Sequence, residues 1–594
     1  MNRLAAASLS FFVVAAAVVA LGGCTRPATS PTKTAAAKPA AAGSDNLTQA
    51  FNTLRQRAEG LTANSDETNG RLIFYLNQWL AGAVEVEQPW QPDPMIDSLS
   101  RSMKTARGLN ALGTLTFAAD DLDYLQQNLW LSDVVQLQRK QPPAADLAPW
   151  LAEIENSVGL PESEQLALAE RLFDWTTRNI QLDPLPPAAK GPVATVGAAT
   201  DAGLPAAQGE PGPGYRLLPH EVLLRGHGDA WERSRVFLLL CRQAGLDGAM
   251  LGLIDESVSN LPQPWLAAVL VGQQLYLFDA SLGLPLPGPD GQGIATLAEI
   301  VAEPKLLRQL DLERGAAYPI ADKHLKQIVA LIDAEPAAVC RRMALLEQAL
   351  GSRKIDLAVE PSQVKAKLSA CKELAGISLW RVPLEAATFA GWRAEQLKKL
   401  KDDSQKWSLF RLAAPPDEIL MCEGNPITWG RNLQLQGRLE NRETERLVGA
   451  RALFMESRMT EQQIEALATS ENARRAMSFA SSLPKDEKFR AQVMQRYLDM
   501  FRRTKQHATY FLALTYFDDG KYEAAAEWLR DRTLDSPYPT PWEAGARYNL
   551  ARCYEALGRW EDARRILAAD EDSPQKHGNH LRAQWLAQRH PSAP

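Results

Sequence analysis

The C-terminal part of the chain contains an internal repeat, and this feature restricts the fold more than any other. The segment YFLALTYFDDGKYEAAAEWL at 510–529 aligns without gaps with YNLARCYEALGRWEDARRIL at 548–567. In both copies apolar and alanine residues recur at helical spacing on either side of a glycine. Each copy therefore predicts two helices and a tight turn, which bury their apolar faces by stacking on neighbouring copies. The matched pairs are Tyr510 and Tyr548, Ala513 and Ala551, Tyr516 and Tyr554, Gly520 and Gly558, Tyr522 and Trp560, and Ala525 and Ala563.

This pattern resembles the tetratricopeptide repeat, which has an Ala-x-x-Tyr first helix, a glycine turn, and an aromatic residue and an alanine on its second helix. The period in that family is about 34 residues, and the Pro-rich link at 535–542 accounts for the longer spacing in this chain. The resemblance implies repeats at 508–533 and 546–570 within a helical domain at 400–594. Because about three repeats are needed for a stable stack, the helices at 441–503 are expected to supply the rest.

The resemblance also implies where a partner would bind. In tetratricopeptide stacks the first helices of the pairs line a groove, and their exposed residues select the ligand. Arg547, Asn549 and Arg552 lie on the more polar face of one predicted first helix. We expect this face to be solvated and to hold an acidic or extended peptide through charge-assisted hydrogen bonds. Tyr516 and Tyr554, at helical spacing, are expected in the core.

The first 24 residues predict export. The stretch MNRLAAASLSFFVVAAAVVALGGC joins Arg3 to a short apolar run that ends in small residues and Cys24, as in a secretory signal. The Leu-Gly-Gly-Cys step resembles the lipobox of bacterial lipoproteins, whose cysteine is acylated as the signal is removed. We therefore predict a signal peptide at 1–23, a lipid on Cys24 and an Ala/Pro/Thr-rich tether at 24–46. The alternatives are a simple membrane anchor and a secretory signal that is cut elsewhere.

Length, charge and cysteine content narrow the classes of protein to which the chain can belong. A chain of 594 residues predicts three or four domains, and a net charge of −6 gives no basic footprint for nucleic acid. Five cysteines follow Cys24, and their odd number and wide spacing argue against a dense disulfide framework. They are expected to be small buried residues, at positions Cys241, Cys340, Cys371, Cys422 and Cys553.

The stretch GHGDAWERSRVFLLLCRQAGL at 226–246 predicts a helix that begins and ends near glycines. Gly228, Trp231, Arg242 and Gly245 stand where transglutaminase-like domains place the residues around their catalytic cysteine. The stretch therefore resembles that family, in which a buried helix carries the nucleophile on its first turn.

The resemblance covers roughly 160–290, within a predicted transglutaminase-like domain at 150–300. The helix at 161–182 carries Trp175, Asn179 and Ile180, and it is similar to the helix that precedes the site in the family. The implied fold is a papain-like α+β core, with the Ala/Gly/Pro-rich segment 186–214 as a flexible insertion.

The catalytic groups of that family are not at their expected positions. Ala230 stands at the nucleophile position, and a methyl group cannot attack a carbonyl. Gln263 stands at the histidine position, two residues before Trp265, and an amide cannot shuttle a proton at neutral pH. Asp279 alone matches the third member of the triad. The resemblance thus implies a pseudoenzyme with no catalytic residues, no metal and no cofactor.

An enzyme remains the alternative: an envelope hydrolase or peptidoglycan-modifying protein that uses Asp279 with His227 or His220. Cys241 is the nearest thiol, but it lies on an apolar helical stripe and is expected to be buried and inert. Asp229, just before the helix, is expected to be its N-cap. The pair His577 and His580 has a metal-like spacing without a neighbouring carboxylate or cysteine cluster, so no metal is expected there.

The remaining segments complete a multidomain α/β plus all-α fold class. Residues 47–145 predict a helical region, and residues 320–390 alternate as a small βαβαβ module. The function that follows is a non-catalytic scaffold or protein-binding factor at the bacterial cell envelope. Such a chain would be anchored to a membrane by lipid and would face the periplasm or the cell surface.

Overall fold

The computed structural model describes residues 40–58, 66–83, 90–99, 104, 109–144, 146–186, 212–255, 259–313, 315–351, 355–399, 426–442, 447–476 and 486–591. The predicted signal peptide, Cys24, Cys422 and most of the 186–214 insertion lie outside these ranges. Within them, no helix combines the length and the apolar character needed to span a bilayer.

The N-terminal helices form one side of the molecule. α1 and α2 make a hairpin that packs on α4, and Arg57 joins them by bonding the Asn69 side chain, the Leu122 carbonyl and Asp123. Asp93 caps the short α3 by accepting from the Met95 amide. The helices are α1 Ala40–Ala58, α2 Asp66–Ala83, α3 Pro94–Asp97, α4 Ala119–Gln138, α5 Ala148–Ser157 and α6 Leu160–Asn179.

A six-stranded sheet lies at the centre, with strand order β6-β5-β4-β3-β7-β8. Its neighbours are antiparallel except β7 and β8, which run parallel. A separate parallel pair, β1 and β2, holds the chain next to α8. The strands are β1 Gln181–Leu182, β2 His227–Gly228, β3 Gly248–Asp255, β4 Ser259–Val271, β5 Gln274–Asp279, β6 Leu284–Pro285, β7 Ile328–Ile332 and β8 Gly376–Leu379.

The helix α8 packs on β3 and β4 and is the most buried helix of this region. Phe237, Leu240 and Cys241 are fully buried, because spacings of three and four residues place them on one face. Cys241 was predicted to lie on this stripe, and its burial is confirmed. The helices around the sheet are α7 Pro219–Arg225, α8 Ala230–Gln243, α9 Leu297–Ala302, α10 Arg341–Leu350, α11 Pro361–Leu368 and α12 Arg381–Lys399.

The structure corrects the expected βαβαβ module at 320–390. Only two of its three strands form, and both extend the central sheet, where β7 pairs with β3. The segment 355–360 pairs with no strand among the described residues. Its amides at Leu357 and Ala358 instead donate to the Glu347 carboxylate. A side chain thus satisfies the backbone groups that a strand ladder would otherwise bond.

The hydrophobic core crosses the expected domain boundaries. One continuous core runs from Ala50 in α1 through the sheet to Phe389, and it includes Leu435 and Leu581 nearer the C-terminus. The boundaries expected near residues 150 and 320 therefore separate no independent cores. A second core belongs to the C-terminal helices and contains Tyr510, Trp542 and Tyr548.

The C-terminal helices form the predicted repeat hairpins. Gly520 and Gly558 occupy equivalent turns with φ of +71° and +70°, a left-handed conformation that glycine adopts without strain. Ala525 and Ala563 are fully buried where paired helices approach. Between α18 and α19 the chain continues as a π-helical stretch, 528–534. The helices are α13 Pro426–Leu435, α14 Ala450–Glu456, α15 Glu461–Thr469, α16 Glu471–Ala476, α17 Glu487–Asp518, α18 Tyr522–Glu527, α19 Glu543–Ala556, α20 Trp560–Ala568 and α21 Lys576–Arg589.

Candidate functional site

The first turn of α8 has Ala230 at the position expected for a nucleophile. Asp229 is the N-cap, as predicted, and its Oδ1 accepts from the amides of Trp231 and Glu232 at 2.9 and 3.0 Å. The Glu232 carboxylate accepts in return from the Asp229 amide at 3.0 Å. This reciprocal capping box satisfies the start of the helix, and the turn carries the Ala230 methyl group at the position predicted for a nucleophile.

The two capping carboxylates also fix the chain that follows the insertion. Asp229 accepts from the amide of Gly214, and Glu232 accepts from the amide of Leu217, both at 2.7 Å. Asp229 and Glu232 are both buried. Burial, and then the nearby Asp229, raise the pKa of Glu232 to about 8. Two buried acids thus hold both the segment 214–217 and the start of α8.

This pair predicts a pH dependence of stability. The folded pKa of Glu232 lies above its ordinary value of 4.5, so between about pH 5 and pH 8 the folded state keeps a proton that the unfolded state has released. We expect the free energy of unfolding to fall across that window as pH rises. Glu232→Gln should flatten the slope in urea unfolding measured at several pH values. The exposed Glu164→Gln on α6 is the control, and equal slopes in both variants would contradict the assignment.

Asp279, the remaining triad candidate, is committed to other partners. Its Oδ1 accepts from the amide and hydroxyl of Ser281, and its Oδ2 accepts from the Tyr318 hydroxyl at 2.7 Å. The Trp265 indole donates to that hydroxyl at 2.8 Å. Burial, and then Asp279, raise the pKa of Tyr318 well above its usual value, so the phenol stays protonated and donates. Gln263 is exposed, and its side-chain amide donates to the Leu261 carbonyl within the strand.

The histidines of the enzyme alternative lie beside other acids. His227 contacts Asp183 through Nδ1 at 2.7 Å and packs edge-on against Trp542. The backbone amide of His220 donates to the side chain of Gln127 at 3.1 Å. The hydrogen bonds of Asp279 to Ser281, Leu282 and Tyr318 involve neither histidine.

The thiols of the described region offer no ready nucleophile. Cys241, Cys340, Cys371 and Cys553 are all buried. Burial raises the pKa of the Cys241 thiol far above its ordinary range, so a thiolate does not form there near neutral pH.

The His577-Gly-Asn-His580 segment has a packing role at the start of α21. The Nε2 atom of His577 lies 2.7 Å from the Leu310 carbonyl. A Cβ at Gly578 would come within 1.8 Å of the Leu282 carbonyl oxygen, so the helix meets this turn backbone to backbone. Within the described residues, no group of three or more histidine, cysteine or acidic side chains could hold a metal.

The predicted partner-binding face on α19 is the largest difference from the sequence expectation. Asn549 is fully buried, and its amide donates to the Arg178 carbonyl and the Tyr510 hydroxyl. The Arg178 carbonyl belongs to the C-terminal end of α6. This face of the repeat array therefore packs against the α/β core, and the expectation that it is solvated is wrong for Asn549.

Arg552 is part of a largely buried ion network between α6 and α19. Its Nη2 bonds Asp174 at 2.8 Å, and its Nη1 bonds Glu555 one turn later. Asp174 also accepts from Arg178 at 2.7 Å, and Arg582 donates to Glu555. The solvated position expected for Arg552 is corrected: its charge pairs with this chain's own carboxylates.

Arg547 alone among the three stays at the surface. Its side chain is 38% exposed and pairs with Glu543, one turn before it on α19. It is thus the single residue of the predicted set that an external partner could reach without opening the structure.

Several residues that build this contact were not singled out from the sequence. Arg178 bonds Asp518 at 3.0 Å and lies over the Phe517 ring. Arg431 of α13 is buried and donates to the Leu223 and Asn179 carbonyls. These partners lie more than 200 positions away in sequence, so no local pattern predicted the contacts.

These features define an α/β protein whose C-terminal helices form tetratricopeptide-like repeats and dock on its own core. A family model described as anaphase-promoting complex, cyclosome, subunit 3 matches residues 493–569, from within α17 to just after α20. The match confirms the predicted repeat region and covers only this part of the chain. No curated protein and no solved structure matches the chain significantly. The transglutaminase-like core and the lipid anchor stay predictions.

Proposed function

We propose that the chain is an exported lipoprotein, acylated at Cys24, that acts as a non-catalytic protein-binding scaffold at the bacterial cell envelope. The tetratricopeptide-like repeats carry this proposal, since such arrays present extended surfaces to protein partners. The α/β core serves as a structural platform that resembles a transglutaminase domain. Ala230 at the start of α8 and the bonds of Asp279 to Ser281 and Tyr318 support a platform without catalysis.

The docking of α19 on α6 limits where a partner can bind. Asn549 and Arg552 are used inside the molecule, so recognition falls to the faces of the array that α6 leaves open. Arg547 lies on such a face, and its guanidinium can bond a carboxylate of a partner once Glu543 is displaced.

The absence of thiol catalysis can be tested directly. The purified chain is expected neither to cross-link amines to glutamine donors nor to cleave peptides, since no thiolate stands at Ala230. A thiol-directed probe should label Cys241 no faster than it labels the buried Cys553. Saturable labelling of Cys241, with activity that Cys241→Ser removes, would instead establish an enzyme.

The anchor and the scaffold role are tested in one experiment. Metabolic labelling with a fatty acid is expected to mark the wild type and not Cys24→Ala, because the thiol is the acceptor. After cross-linking in its own membranes, the acylated chain should co-purify with protein partners, and Arg547→Glu should reduce their yield severalfold. Unchanged labelling of Cys24→Ala refutes the anchor. Equal recovery of every partner with Arg547→Glu refutes the binding face.

A further inference from the structure

The first half of α17, residues 487–506, differs in charge from the rest of the molecule. It contains six lysines and arginines and two acidic residues, whereas the whole chain carries a net charge of −6. We call this segment the basic arm. Positive charge is thus concentrated on a few turns of one helix in an otherwise acidic protein.

One side of the basic arm faces the protein. Met494 and Leu498 are buried against Ile464 and Leu467 of α15. Lys505, at the base of the arm, pairs with Glu461 at 2.6 Å. The inner face is therefore accounted for by packing and by pairing within the chain.

Three basic side chains on the outer side of the basic arm lack such partners within the described part of the chain. Lys488, Arg496 and Arg503 form no ion pair with any described residue. Phe489 is 55% exposed and precedes Arg496 by seven residues, as Arg496 precedes Arg503. A spacing of seven is close to two helical turns, so the aromatic ring and the two guanidiniums lie along one face.

We propose that this outer face binds the anionic phospholipid headgroups of a membrane. Lysines and arginines near an anionic bilayer each contribute to attraction, while an exposed phenylalanine among them can enter the headgroup boundary. Lys488, Arg496 and Arg503, which pair with no described residue, and the exposed Phe489 ring supply the chemistry that binds such a surface. Neither feature is explained by the packing of α17 on its neighbours.

The lipid anchor proposed at Cys24 favours a membrane over an acidic polypeptide as the ligand of this face. To this extent the inference rests on the proposed function. From Cys24 to Ala40, the first described residue, the chain can span at most about 55 Å. A protein held this close to a bilayer meets its headgroups at a high effective concentration, so a few cations suffice for contact.

The test uses a chain that begins at Thr25, which keeps every described residue and cannot be acylated at Cys24. It is expected to co-sediment with vesicles of phosphatidylglycerol and phosphatidylcholine and to dissociate from them in high salt. It should not co-sediment with vesicles of pure phosphatidylcholine. The triple variant Lys488→Gln, Arg496→Gln and Arg503→Gln should bind about 100-fold more weakly, at about fivefold for each cation. Phe489→Ser should weaken vesicle binding less than the triple variant does. This loss should not depend on salt, because the contribution of the ring is apolar.

A second triple variant with the same net charge is the control. Lys140→Gln, Lys305→Gln and Lys365→Gln alter exposed lysines outside the basic arm and should bind as the wild type does. Equal binding by both triple variants, or no preference for phosphatidylglycerol, overturns the proposal. Capture of polyglutamate without vesicle binding assigns the face to an acidic polypeptide. Because this chain lacks Cys24, these outcomes are independent of the fatty-acid labelling that tests the anchor.

Discussion

Replacing Arg552 with alanine is expected to cost about 3 kcal/mol of stability, although the residue looks like a surface arginine in the sequence. The substitution leaves Asp174 and Glu555 with fewer partners in a largely buried contact between α6 and α19. Removing one member of a buried ion pair is strongly destabilising, because the remaining charge is poorly solvated. The measurement is the urea midpoint of unfolding, which should fall while the basic arm still binds vesicles. That result would assign the lost stability to the contact between α6 and α19.

The matched control is Arg547→Ala, five positions earlier on the same helix. Its exposed pair with Glu543 contributes at most about 0.5 kcal/mol, so the midpoint should hardly move. A double-mutant cycle of Arg552→Ala with Asp174→Ala should show a coupling of at least about 1 kcal/mol. If Arg547→Ala and Arg552→Ala were equally mild, the contact seen between α6 and α19 would not contribute to stability in solution.

Local features of this molecule could be predicted from the sequence. Asp229 follows a glycine and precedes an apolar run, with Glu232 three positions on, and this pattern defines a capping box within one helical turn. The repeats were equally accessible, because Gly520 and Gly558 mark turns that depend on neighbouring residues only. In both cases the interactions that determine the structure lie a few residues apart.

The polar face of α19 could not be placed from the sequence. A helix with asparagine and arginine on one side normally turns that side to water, and nothing near Asn549 indicates otherwise. Its burial depends on the Arg178 carbonyl, which lies 371 positions away. A buried polar group is tolerated when its hydrogen bonds are satisfied, and that condition is visible only once α6 and α19 are together.

The contacts of the candidate site also could not be predicted from nearby sequence. Asp279 was correctly placed at the end of β5, but its bond to Tyr318 joins it to a residue beyond the expected domain boundary at 300. The segment 355–360 also looked like a strand, since it has apolar residues between turn signals. Its amides at Leu357 and Ala358 instead donate to Glu347, a contact that the periodicity of the segment cannot predict.

Gly578→Ala is expected to destabilise the chain by about 3 kcal/mol, although alanine is the better helix former. The new Cβ would lie 1.8 Å from the Leu282 carbonyl oxygen, a separation that no side-chain rotation can relieve. The turn that carries Leu282 bonds Asp279 through its amide, so α21 would have to move away from the candidate site. Forced overpacking of this kind commonly costs more than the propensity gained.

Gly70→Ala on α2 is the control that separates crowding from propensity. A Cβ there meets no atom within 4 Å, so the same substitution should stabilise the chain by up to about 1 kcal/mol. Opposite shifts of the urea midpoint in the two variants are therefore expected. Because α21 packs into both hydrophobic cores, a loss confined to Gly578→Ala would show that its close approach to the turn at Leu282 contributes to stability in solution. Stabilisation in both variants would mean that α21 does not approach the turn after β5 this closely in solution.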